Sequence, residues 1–138
     1  MATLKKKLMV RLHDTDAAGI LFFANQFVFV HDAYEKLLQL IGLPIASVLH
    51  SEQFILPIVH AESQYLKPLT VGDEITIAAQ VAKIGETSFV LEYELFGADG
   101  ELVGKARTVH VAVGKKTQGK IALPEKLQRA LKAFQSAL

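Results

Sequence analysis

Two carboxylates stand two residues apart in the stretch His13-Asp14-Thr15-Asp16-Ala17-Ala18-Gly19-Ile20-Leu21-Phe22-Phe23-Ala24-Asn25, and a nearly unbroken apolar segment follows as far as Leu43. Asp is poorly suited to a helix interior but well suited to the position just ahead of one, where its carboxylate meets unpaired backbone N–H groups. An acid placed there beside an apolar helix can act on a neutral acyl group while backbone amides polarise its carbonyl. Such an arrangement is the skeleton of a hydrolytic site. The same spacing also serves as an ordinary cap followed by a turn, so spacing alone leaves both uses open.

Other polar residues divide in the same way. Asp14 reads as structural, accepting amides of its own loop, and His13 as a loop residue orienting the same turn. His13, Asp14 and Asp16 fall within four residues, a spacing without geometric support for a metal site, and no metal is expected. His31 lies one helical turn beyond Phe27 on an otherwise apolar rod, where it is either a buried histidine satisfied by one hydrogen bond or a group available to a ligand. His60 and Glu62, two apart on one strand face, can hydrogen-bond each other in a structural or interface role.

Composition bounds these choices. The chain has 138 residues, enough for one domain (1–138) that buries roughly two-thirds of its unfolded surface. A hydrophobic fraction of 51% is high for a small monomer and suggests that some apolar surface is buried between subunits. Net charge is +1, with no basic stripe beyond Lys5-Lys6-Lys7, which argues against a nucleic-acid partner. The absence of cysteine excludes disulfides, thiolate catalysis and Cys-ligated zinc. The charged N-terminus does not read as a signal peptide, and the apolar run Ile20 to Val30 is too short to span a bilayer, so a cytoplasmic protein without membrane insertion is expected.

The elements that must position these residues follow from periodicity. Leu4, Leu8, Val10 and Leu12 alternate with Lys5, Lys7, Met9 and Arg11 as a first strand. From Ile20 to Ile41 the period becomes helical, with apolar residues around most of the circumference, as expected of a buried helix. Gly42-Leu43-Pro44 ends it. A short helix is expected at Ile45–Ser51. The period returns to two over Glu74–Val81 and Ser88–Leu95, and in a strand whose apolar face is Val103, Val109, Val111 and Val113 and which also carries Lys105 and Arg107. Turns fall at Val71-Gly72-Asp73, Ile84-Gly85-Glu86 and Ala98-Asp99-Gly100. Leu123-Pro124-Glu125 opens a final amphipathic helix with Leu127, Leu131 and Phe134 inward. One strand, one long helix and then strands in antiparallel order give an α+β fold, a curled antiparallel sheet of about five strands around one long buried helix, with a C-terminal helix.

The block Asp16-Ala17-Ala18-Gly19-Ile20-Leu21-Phe22-Phe23-Ala24-Asn25 resembles the D-x-x-G-[IV]-[VL]-[FYW]-x-x-[NS] signature of hotdog-fold acyl-CoA thioesterases, and within them the 4-hydroxybenzoyl-CoA thioesterase branch. The likeness continues through Gly42-Leu43-Pro44, Pro57-Ile58-Val59, Tyr65 to Asp73 and Ser88-Phe89-Val90. It implies a thioester hydrolase needing no cofactor. Asp16 would be nucleophile or general base, and the Phe23 backbone N–H would polarise the carbonyl. Gly19 would turn the chain tightly toward the helix, although an ordinary turn glycine fits as well, and Phe22, Phe27 and His31 would meet the acyl group. His31 stands where the 4-hydroxybenzoyl enzyme has an acid facing the substrate's phenol, which argues against 4-hydroxybenzoyl itself. The phosphates of coenzyme A require cations, for which Lys83, Lys105 and Arg107 are the candidates, although Gly85-Glu86-Thr87 replaces the family's basic cluster. The chain looks like the subgroup of hydrolases acting on 1,4-dihydroxy-2-naphthoyl-CoA in phylloquinone and menaquinone synthesis. A broad aliphatic acyl-CoA thioesterase and a non-catalytic acyl-CoA-binding hotdog protein are the alternatives. Asp16-Ala17-Ala18-Gly19 lacks the Asp/His pair of hotdog dehydratases, and no segment reads as a DNA-binding extension. The resemblance also implies a homodimer or a homotetramer built as a dimer of dimers, with active sites at the subunit interface.

Overall fold

Alternating apolar and polar residues of Leu4–Met9 form strand β1, and the chain then turns through a short 3-10 segment at Leu12–Asp14. Helix α1 (Asn25–Leu40) and the short α2 (Ile45–Ser51) follow, then β2 (Phe54–Ile55), β3 (Ile58–Tyr65), β4 (Glu74–Ile84), β5 (Ser88–Gly97), β6 (Leu102–Val111), β7 (Val113–Gly114) and α3 (Glu125–Ser136). This computed structural model describes residues 2–137. Five strands make one antiparallel sheet in the order β1-β4-β5-β6-β3, and β2 pairs with β7 in a small ribbon. Among the described residues no helix is long and apolar enough to cross a membrane.

Helix α1 lies across the sheet and buries Gln26, Phe29, Val30, Ala33, Tyr34, Leu37 and Leu38 against it. Full burial of a side chain such as Leu37 or Leu38 contributes roughly 1.5–3 kcal/mol. The helix stops in a Schellman motif: the Leu43 N–H reaches the Leu38 carbonyl (2.8 Å) and the Gly42 N–H reaches that of Gln39 (3.2 Å). Gly42 takes the left-handed conformation this closure requires, at φ +89°. Leu127 and Leu131 of α3 are fully buried, and Phe134 packs partly against the same core.

Three features differ from the periodicity reading. The helix begins at Asn25 rather than Ile20, because the backbone of the preceding residues is already paired in extended bridges, Thr15 with Leu21 and Ile20 with Thr70. It is also buried on one face only, with Val28 and Leu40 exposed, since the sheet covers one side of the rod. In β6 the alternating face against the helix is Gly104, Ala106, Thr108 and His110; of the valine series Val103 and Val111 are also buried, Val103 within the core, whereas Val109 and Val113 are only half-buried. Register explains this: Ala106 pairs with Tyr93 and His110 with Phe89, all buried, whereas Lys105 and Arg107 pair with Glu94 and Glu92 on the opposite, convex face.

Candidate active site

The segment between β1 and α1 folds back on itself as a miniature hairpin. The Asp16 N–H donates to the Ile20 carbonyl (2.9 Å), and the Phe22 N–H donates to the Asp14 carbonyl (2.9 Å). Gly19 closes the turn at φ +82°, a conformation open to glycine at little cost. Asp14 is committed to this loop: its carboxylate accepts the Arg11 N–H (2.8 Å), its carbonyl also accepts the Asn25 side chain (2.9 Å), and His13 lies 3.5 Å away. Asp16 is exposed and accepts only the Ala18 N–H, at 2.8 Å, so its second oxygen has no partner among the described residues. It does not cap α1, whose N-cap is Ala24 without a side-chain bond.

Phe23 begins the approach to the helix. The Phe22 carbonyl accepts the Asn25 N–H (2.8 Å) and so points along α1. In a trans peptide the N–H points opposite to the carbonyl, so the Phe23 N–H points away from the helix start. It meets no acceptor among the described residues, and the positive end of the helix dipole lies behind it. The Phe23 carbonyl is held by the Tyr65 hydroxyl, 2.6 Å away at the end of β3.

Gln26, fully buried in the first turn of α1, ties this helix end to the sheet. Its amide donates to Ser63 Oγ (2.6 Å) and to the Gln64 carbonyl (3.0 Å), and a Cβ on Gly104 would stand 3.0 Å from its side chain. Glycine at 104 therefore leaves the room Gln26 occupies. The polar interruption of the apolar run at Gln26 was the sequence signal for this tie, and Gly104 in a strand was the other.

One helical turn past Phe23 a cavity of about 360 Å³ opens between α1, β3 and the sheet, lined by Phe27, Val28, His31 and Ile58 among others, with Tyr93 and Thr108 beneath. His31 is half-exposed, 3.8 Å from Glu35, so it is not the buried, singly bonded histidine considered above. Phe22 packs its ring 4.9 Å from that of Phe23. Thus Asp16, Gly19, Phe22 and Phe23 share one loop, and Phe27 and His31 line the cavity beside it.

The proposed phosphate-binding cations are elsewhere. Register puts Lys83, Lys105 and Arg107 on the convex face of the sheet, away from the cavity of the same chain. Arg107 lies 3.5 Å from Glu62, which also lies 3.4 Å from His60. Periodicity did not flag Tyr93, Thr108 or His110: a Tyr in an apolar series and a Thr-x-His pair look like ordinary strand residues.

Residues 10–131 match the thioesterase-like superfamily. The chain belongs to that superfamily. It is 35% identical to a 1,4-dihydroxy-2-naphthoyl-CoA hydrolase of Rippkaea orientalis over 130 residues, covering 93% of this chain and 94% of the relative. A protein of the same description from Microcystis aeruginosa is 37% identical, over 89% and 88% of the two chains. The crystal structure of a 1,4-dihydroxy-2-naphthoyl-CoA thioesterase from Synechocystis superposes with a TM-score of 0.90 at 28% identity, covering 98% of this chain and 99% of that one. The α+β architecture is accordingly that of the hotdog thioesterases.

Proposed function

We propose that this thioesterase-family protein hydrolyses an aromatic acyl-CoA thioester, with 1,4-dihydroxy-2-naphthoyl-CoA as the substrate. The observation that carries the reading is the unused Phe23 N–H, which lies between the Asp16 turn and an apolar cavity able to take a ring. A thioester carbonyl seated there receives a hydrogen bond as its oxygen gains charge, a donor worth about 3–4 kcal/mol in the transition state. The Asp16 carboxylate either adds to the carbonyl carbon or takes a proton from a water that adds. The coenzyme A thiolate then leaves and is protonated; where Asp16 itself has added, a water next hydrolyses the acyl–Asp16 anhydride and frees the carboxylate. The names and full-length similarity of the relatives support the naphthoyl substrate, and the cavity's aromatic and aliphatic lining supports a flat acyl group over a polar one.

Thiol release from a panel of coenzyme A esters tests this directly. The panel contains 1,4-dihydroxy-2-naphthoyl, 4-hydroxybenzoyl, benzoyl and straight-chain acyl groups. The naphthoyl ester should be turned over with the highest kcat/KM. Equal rates on aliphatic esters would replace this reading with that of a general thioesterase.

The working unit is, in this reading, a symmetric dimer joined along β3. That strand ends the sheet order and is exposed along nearly its whole length, with apolar Ile58 and Val59 (58% exposed) in the open. An uncovered edge of this length is a template for pairing with another strand, and a second copy supplies the same one. Basic residues on the convex face, Lys83, Lys105 and Arg107, would then serve coenzyme A phosphates bound at a neighbouring copy's site. Light scattering should give twice the chain mass or a multiple of it, and Val59→Lys should shift the protein toward the single chain with loss of activity. A fully active single chain would remove this part of the reading.

A further inference from the structure

Beneath the cavity runs a chain of polar groups that the mechanism above does not use. Tyr93 Oη and Thr108 Oγ1 are 2.9 Å apart, and Thr108 Oγ1 is 2.7 Å from His110 Nε2. All three side chains are buried, His110 completely, yet Tyr93 and Thr108 line the cavity floor. His110 cannot turn easily. Its ring is stacked between Phe89 (centroids 4.8 Å, 5° between planes) and Tyr34 (4.3 Å, 29°). Its other nitrogen, Nδ1, meets no partner among the described residues.

Counting hydrogens gives the chain a direction. A buried N–H without an acceptor is rarer and costlier than a bare lone pair, so the imidazole proton belongs on Nε2, where Thr108 Oγ1 accepts it. The bond between Thr108 and Tyr93 then uses one of their two hydroxyl hydrogens, and the other is left over. The opposite tautomer would direct Thr108 O–H to Nε2 and Tyr93 O–H to Thr108, leaving nothing for the cavity. Burial supports an uncharged ring at neutral pH, because desolvation, followed by the nearby His31, pushes the His110 imidazole down to about 3.

We infer that Tyr93 and Thr108, held by His110, present one hydrogen-bond donor at the floor of an acyl cavity that is apolar but for His31 and Asp32, and thereby select acyl groups whose ring carries an oxygen away from the carbon bearing the thioester. The inference rests on the thioesterase reading and sharpens its substrate class. A plain hydrocarbon ring fills the same space but leaves a desolvated hydroxyl unpaired, whereas a phenolic oxygen accepts its hydrogen. Tyr93 and Thr108 are specificity residues, and His110 is a positioning residue that acts through Thr108.

Calorimetry with two free acids that differ in one hydroxyl, 1,4-dihydroxy-2-naphthoate and 1-hydroxy-2-naphthoate, tests the selection without requiring turnover. The dihydroxy acid should bind roughly tenfold tighter to the wild type. The double variant Tyr93→Phe/Thr108→Val should bring the ratio to within about twofold of unity, the monohydroxy acid gaining affinity as the unpaired hydroxyl is removed and the dihydroxy acid losing its hydrogen bond. Imidazole ¹⁵N shifts of the wild type should show the proton of His110 on Nε2. This readout stands even if the double variant fails to fold. A wild-type ratio near one, a preserved ratio in the folded double variant, or a proton on Nδ1 would each overturn the inference. Loss of all hydrolysis with the binding ratio intact would instead overturn the activity and leave the oxygen-reading floor in place.

Discussion

Asp16→Asn should lower kcat for thioester hydrolysis by roughly a thousandfold, within the range supplied by a positioned carboxylate acting as base or nucleophile. The substitution is chosen for what it keeps. Asp16 Oδ1 accepts the Ala18 N–H at 2.8 Å, and the amide oxygen of Asn can accept the same hydrogen, so the turn closed by Gly19 survives. Asn is also among the residues most at ease in such turns. The melting temperature should therefore move little, and the affinity for the acyl group should remain, because the cavity residues Phe27, His31 and Ile58 are untouched. Activity can be followed with a thiol reagent, since the chain contains no cysteine to react with it. A companion Asp14→Ala variant, which removes the acceptor altogether, separates chemistry from architecture. Asp14 holds the Arg11 N–H, so its change should act on stability more than on turnover. Near-normal activity of Asp16→Asn, or an equal collapse of both variants, would remove Asp16 from the chemistry.

The loop carrying Asp16 was legible in the sequence because its residues are local: an acid, a left-handed glycine and two phenylalanines are read from one stretch. Its relation to the helix was not. An apolar run such as Ile20 to Ala24 satisfies a helical period and an extended one equally, and what decides is the pairing of Ile20 with Thr70, fifty positions away. The C-terminal stop at Gly42 and the short helix at Ile45–Ser51 were legible for the opposite reason, since glycine and proline act within their own few residues. The face of β6 was legible only in part, because valines mark burial only on average: Val103 and Val111 are buried, Val109 and Val113 half-buried. Here the helix side takes small and polar residues, Gly104, Ala106, Thr108 and His110, since Gln26 and the aromatic rings of Tyr34 and Phe89 occupy the space. The cations on the convex face show a further limit. Charge identifies a phosphate candidate, but only register reveals that Lys105 and Arg107 stand across the sheet from their own chain's cavity and beside Glu94 and Glu92.

The same buried histidine should govern the response of the fold to acid. His110 is held uncharged in the folded chain, with its imidazole pushed down to about 3 by burial first and by His31 second, against an ordinary value near 6.5. The folded value lies below the unfolded one, so between them the unfolded chain binds the extra proton. Above about pH 6.5 His110 is neutral in both states and the folded state is at full advantage. As pH falls from there toward 3, stability should drop by about 1.4 kcal/mol per unit from this residue, levelling off below the folded value. Over the whole window that is about 5 kcal/mol, a large share of the 5–15 kcal/mol typical of a domain. Urea midpoints measured from pH 7 to pH 4 should therefore fall steeply in the wild type. His110→Phe keeps a ring for the stack between Tyr34 and Phe89 and removes the titrating nitrogen, at the cost of leaving Thr108 one partner short. That variant should start less stable at pH 7 and lose less on acidification, so its curve converges on the wild type's. Parallel curves for the two proteins would show that His110 is not the group that takes up the proton.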